Sequence, residues 1–113
     1  MNTASLTKNL EYKENKPAIS VLLETEHSKE IRIVMRAGQV MKEHKTPFPI
    51  VVELFEGRLD FGVQGQVLEL TKGDLIALDG GIPHDLKAKA DCIVRLTLSK
   101  ADSLKRVEKV VED

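Results

Sequence analysis

Gly57-Arg58-Leu59-Asp60-Phe61-Gly62-Val63-Gln64-Gly65-Gln66-Val67-Leu68-Glu69-Leu70 sets the fold class. Leu59, Phe61 and Val63 alternate with Arg58, Asp60 and Gly62, the period of two that sends successive side chains to opposite faces of a strand. Gln64-Gly65 is a two-residue hairpin signal, and Gln66 to Leu70 is the returning strand. Downstream, Lys72-Gly73-Asp74 turns the chain into Leu75-Ile76-Ala77-Leu78. Asp79-Gly80-Gly81-Ile82-Pro83 is then a loop, because two glycines and a proline do not extend a ladder. Ile93 to Leu98 is the last strong strand. Upstream, Ile19 to Glu24 and Ile31 to Arg36 flank a turn at Glu26-His27-Ser28-Lys29, and Pro47-Phe48-Pro49 feeds Ile50 to Phe55. Short runs broken by turn residues every roughly eight to twelve positions are the all-β signature. About eight antiparallel strands in residues 18–98 suit a closed barrel or sandwich, which removes exposed edges.

The two ends read differently. Residues 1–17 form a polar N-terminal arm, expected to be loose, in which Leu10 and Tyr12 could open an edge strand, including one exchanged with a partner. Ser99-Lys100-Ala101-Asp102 fits a capping box with Ser99 as N-cap. Leu104, Val107 and Val111 follow at helical spacing, so a short C-terminal helix is expected over 99–113.

Composition excludes several classes of function. At 113 residues the chain is one domain. A net charge of −1 gives no basic face for nucleic acid. No apolar run approaches the roughly 20 residues needed to span a bilayer, and the N-terminus lacks the apolar core of a signal peptide. One cysteine excludes an internal disulfide framework, and a cytoplasmic location is the expectation. Cys92 shares parity with Val94, Leu96 and Leu98, so it is expected as a small buried hydrophobe. With no Trp and aromatics at 4%, the core must come from Val, Ile and Leu.

Chemistry concentrates at two histidines in glycine-marked segments, His44 after Gly38 and His84 after Gly73 and Gly81. If His44 points into the barrel, strand parity turns Thr46, Phe48, Ile50, Val52 and Leu54 inward with it. Glu43, Lys45 and Glu53 then face outward, and the same rule removes Asp85 as a neighbour of His84. His27 falls in the turn at the far end of the barrel. Two imidazoles are fewer than the three protein ligands that zinc and non-haem iron usually take. Asp79 is the one carboxylate that the loop frees from parity.

These segments resemble the two signature motifs of the cupin superfamily. The first motif there runs glycine, five residues, histidine, one residue, histidine, three or four residues, glutamate, six residues, glycine. Gly38, His44 and Gly57 match, while Thr46 stands at the second histidine and Ile50 at the glutamate. The second runs glycine, five residues, proline, one residue, glycine, two residues, histidine. Gly73, Gly81 and His84 match, and Asp79 replaces the proline. The resemblance, over residues 18–98, implies an antiparallel jelly-roll β-barrel and usually a homodimer, with Val51 and Phe55 apolar on the outward face of one strand. It further implies a pocket lined by His44, Thr46, Phe48, Ile50, Val52 and His84, with metal ligation falling to His44 and His84; Asp79, at the motif's proline position, could add a carboxylate only because its loop is free of strand parity.

Two functions follow as expectations. One is a module, sensory or otherwise non-catalytic, that binds a small organic ligand in the barrel. The other is a metal-dependent dioxygenase, isomerase or decarboxylase that uses Fe, Mn, Ni or Zn at an incomplete His44/His84 site.

Overall fold

The structure, a computed structural model, describes residues 1–100. Among the described residues nine strands run in chain order: β1 (Ala18–Glu24), β2 (Ser28–Met35), β3 (Val40–His44), β4 (Ile50–Glu56), β5 (Arg58–Val63), β6 (Gln66–Thr71), β7 (Leu75–Leu78), β8 (His84–Ala88) and β9 (Cys92–Ser99). They form two antiparallel sheets, one of five strands in the order β1-β2-β9-β4-β7 and one of four in the order β3-β8-β5-β6. Sequence neighbours sit in opposite sheets at several crossings, as in a jelly roll. The expected C-terminal helix lies, beyond Lys100, outside the described residues; Ser99, read as its N-cap, is the last residue of β9 and pairs with Ser28.

Alternation decides what each strand buries. Ile31, Ile33 and Met35 of β2, Ile50, Val52 and Leu54 of β4, and Leu59, Phe61 and Val63 of β5 all point between the sheets. Cys92 and Val94 join them from β9. Met35, Leu54, Leu59, Phe61, Cys92 and Val94 are the largest side chains fully withdrawn from water. The hairpin is as the sequence indicates: Gln64 and Gly65 have φ of 51° and 74°, the doubly positive pair whose twist suits a tight hairpin. Gly57 turns β4 into β5 at φ 98°. A side chain there would collide with the Asp91 carbonyl and with Cys92, so the position demands glycine twice over.

The N-terminal arm makes hydrogen bonds of its own to the barrel. Residues 1–17 form no strand, yet they are tied to the outside of the five-stranded sheet. Arg32 Nη1 donates to the Lys8 carbonyl at 2.8 Å, and Gln39 Nε2 donates to the Lys13 carbonyl at 2.8 Å. The Arg36 guanidinium lies 4.3 Å from the centre of the Tyr12 ring. Asp91 fixes the turn beneath, accepting from the Ala37 N–H at 2.9 Å and from Arg36 at 3.0 Å. Those bonds, the backbone one first, hold its carboxyl below the usual aspartate range. Backbone carbonyls captured by long side chains in this way leave no mark in hydropathy.

Candidate functional site

His44 and His84 come together, and a backbone irregularity is what brings them there. Met41 pairs with Leu86 and His44 with His84 across β3 and β8. Between those pairs Lys42 and Glu43 of β3 oppose Asp85 alone on β8, the two-against-one count of a β-bulge. Without the extra residue, Met41 and His44 would face opposite sides. The bulge resets parity, and both contact the interior. Glu43 and Lys45 are exposed, as expected, and Asp85 lies outside the barrel, its carboxyl over the bare Cα of Gly62.

The two imidazoles meet edge to face, with centroids 4.4 Å apart and planes at 61°. His84, only 3% exposed, also stacks on Phe61, at 5.5 Å and 8°. Each ring is held by its own backbone: His44 Nδ1 lies 2.7 Å from the Lys42 carbonyl and His84 Nδ1 lies 3.0 Å from that of Ile82. A carbonyl can only accept, so Nδ1 carries a proton in each ring, and Nε2 is the nitrogen left to present a lone pair. This is the arrangement in which a ligating histidine is usually oriented.

The donor set nevertheless does not fit a transition metal. Among the described residues no group of three His, Cys, Asp or Glu side chains is placed to hold one. Asp79 is exposed on its loop and does not join the pair, and Ile50 is buried core. Thr46 Oγ1 is occupied in donating to the Phe48 carbonyl at 3.0 Å. Two nitrogen donors fall short of the three that catalytic zinc and non-haem iron sites take from protein.

Nor does the space match a ligand chamber. The void bounded by Ile33, Met41, His44, Val52, His84 and Leu86 measures about 10 Å³, at the lower limit for one water. The expected pocket residues are thus divided. His44, Val52 and His84 line this filled interior, whereas Thr46 and Phe48 line a separate open pocket of about 360 Å³ with Lys29, Pro47 and Leu98. That pocket is shaped by the loop before β8. Gly81 N–H donates to the Thr46 carbonyl at 2.7 Å, and any side chain on Gly80 would run into the Pro47 carbonyl. The paired glycines therefore serve a close backbone approach as well as a turn. Lys29 is the residue that sequence reasoning misses here, since it reads as part of a turn; it is the second residue of β2.

His27 lies in the exposed β1–β2 turn, at the other end of β2 from the turn that leads to β3. Cys92 is fully buried, and desolvation pushes its thiol up to about 11. It behaves as core. No helix among the described residues is long and apolar enough to cross a membrane.

No protein-family model matches the sequence, and no curated protein does. Solved structures do match. An RmlC-like cupin protein from Desulfovibrio desulfuricans superposes with a TM-score of 0.81 at 20% identity, over 88% of this chain and 96% of the other. TT1209 from Thermus thermophilus gives 0.79 at 19% identity, over 88% and 98%. KdgF from Halomonas sp. gives 0.74 at 12% identity, over 92% and 99%. The chain is a small cupin-fold domain.

Proposed function

We propose that this chain is a non-catalytic module that binds a small organic ligand, and that the ligand sits at the mouth of the barrel in the pocket of Thr46, Pro47, Phe48 and Leu98. The observation that carries the reading is one of volume: about 10 Å³ between the histidines against about 360 Å³ at the mouth. Small-molecule sites are concave, mostly apolar, and a few hundred Å³ in size. Phe48 and Leu98 supply the apolar wall, and Lys29 supplies a polar group at its rim. In this reading His44 and His84 are interior polar side chains that brace β3 against β8. The test is a thermal-shift screen of purified protein against a metabolite set, repeated with Phe48→Ala. A ligand that raises Tm should lose most of that effect in the variant. No shift with any compound, together with nothing co-purifying by native mass spectrometry, would overturn the proposal.

The same domain is proposed to work as a homodimer. β1 is the edge of the five-stranded sheet, and its Ile19 and Val21 are 57% and 56% exposed. Apolar groups on a sheet edge are a pairing surface. Sedimentation should give a dimer mass at micromolar concentration, and a monomer mass would refute it.

A further inference from the structure

Arg32 stands on the outward face of β2, yet it is only 8% exposed, because residues 5–9 of the arm cross over it. Its neighbours in the same row of the sheet are Ser20 on β1 and Arg95 on β9. Arg95 has its carboxylates, Glu30 at 2.7 Å and Glu53 at 3.8 Å. Among the described residues Arg32 has no carboxylate within 4.0 Å. It donates instead to four carbonyls: Lys8 at 2.8 Å, Asn9 at 3.2 Å, Ser5 at 3.4 Å and Leu6 at 3.5 Å. Carbonyl dipoles satisfy N–H groups but leave the net charge uncompensated, and a buried uncompensated charge is unfavourable.

The donor count narrows what would compensate it. A guanidinium has five N–H groups. Ser5, Leu6 and Lys8 take the two on Nη1, and Asn9 takes one on Nη2. One Nη2–H and the Nε–H remain, and Nε is buried without an acceptor. Two parallel donors on a planar group match the two oxygens of a carboxylate. A hollow of about 340 Å³ adjoins the site, lined by Thr3, Ser5, Lys8, Leu22 and Arg32 among others. It has two cations and two hydroxyls but no acidic side chain, and Leu22 offers an apolar wall. The hollow on the other side of Arg32 contains Glu11 and is less suited to an anion.

We propose that the hollow between the N-terminal arm and β2 is a second binding site, for a small organic carboxylate held by Arg32 and Lys8. Nε is withdrawn from water, so admission requires part of the cover over Arg32 to move, and the Ser5 and Leu6 carbonyls on Nη1 are the first candidates. Their contacts with Arg32 are the two longest of the four.

The test uses the full-length chain labelled with ¹⁵N and the arginine Nε–H correlation spectrum, titrated with sodium propionate at constant ionic strength. Sodium phosphate and sodium chloride are the parallel arms. The Arg32 signal, assigned by its disappearance in Arg32→Lys, should shift saturably with propionate, with half-saturation in the millimolar range. Lys8→Ala, on an exposed part of the arm, should weaken binding at least threefold. Arg32→Lys should abolish the saturable response of the amides of residues 3–9. A propionate response no larger than that to chloride, or an unchanged affinity in Lys8→Ala, overturns the proposal. Saturation by phosphate but not propionate overturns the carboxylate assignment. If Arg32→Lys fails to fold, the wild-type titration and Lys8→Ala still decide the matter.

Discussion

Replacing His84 with alanine tests most directly whether the histidine pair is core or site. His84 is 3% exposed, lies flat against Phe61, meets the edge of His44 and donates from Nδ1 to Ile82. Truncation forfeits a hydrogen bond, at about 1 kcal/mol, and leaves a carbonyl short of its donor. Two ring contacts are worth ~0.5–1.5 kcal/mol each. The new cavity merges with the existing void, although inward collapse of Met41 and Leu86 recovers part of the loss. The net expectation is destabilisation of about 3 kcal/mol. With a urea m-value of ~1–3 kcal/mol/M, the midpoint should fall by roughly 1–3 M. His44→Ala should cost only about 1 kcal/mol, since that side chain is less deeply buried than His84. The chain has no Trp, so far-UV circular dichroism is the appropriate signal. A His84→Ala protein as stable as the parent, or more stable, would refute the reasoning. It would mean that the imidazole is held at a stability cost for function, as active-site groups often are.

Three further outcomes are expected. Gly57→Ala should destabilise by about 3 kcal/mol or more in urea melts, from the left-handed φ of 98° and the collision with Asp91 and Cys92; Gly65→Ala, at φ 74° with open space around it, should lose only about 1 kcal/mol. Cys92 should not react with a thiol reagent at pH 8 until the protein is unfolded. Its thiol pKa rises from 9.0 to about 11 on folding, so the stabilisation is complete below pH 9 and is lost as pH climbs through 11; urea melts across that range should show the decline. Protein expressed with iron, manganese, nickel and zinc available should carry less than about a tenth of an equivalent of metal by elemental analysis, and a stoichiometric metal removed by His44→Ala would restore the metalloenzyme reading.

The all-β class and most of the strands were legible in the sequence, because a period of two and glycine-marked turns are local signals. Arg58 to Leu70 carries its hairpin in the chain itself, down to the two positive φ values at Gln64 and Gly65. The inward set Ile50, Val52 and Leu54 followed from parity alone. The pairing of His44 with His84 was legible only through a resemblance, since it depends on a bulge between Met41 and His44 that no local pattern announces. Three features needed the assembled fold: the division of the expected pocket into a filled interior and an open mouth, the capture of the arm by Arg32, and the isolation of Asp79. Volume, long-range hydrogen bonding and mutual distance are properties of residues far apart in the chain. Periodicity reports which face a side chain takes, and packing between the two sheets decides what that face encloses.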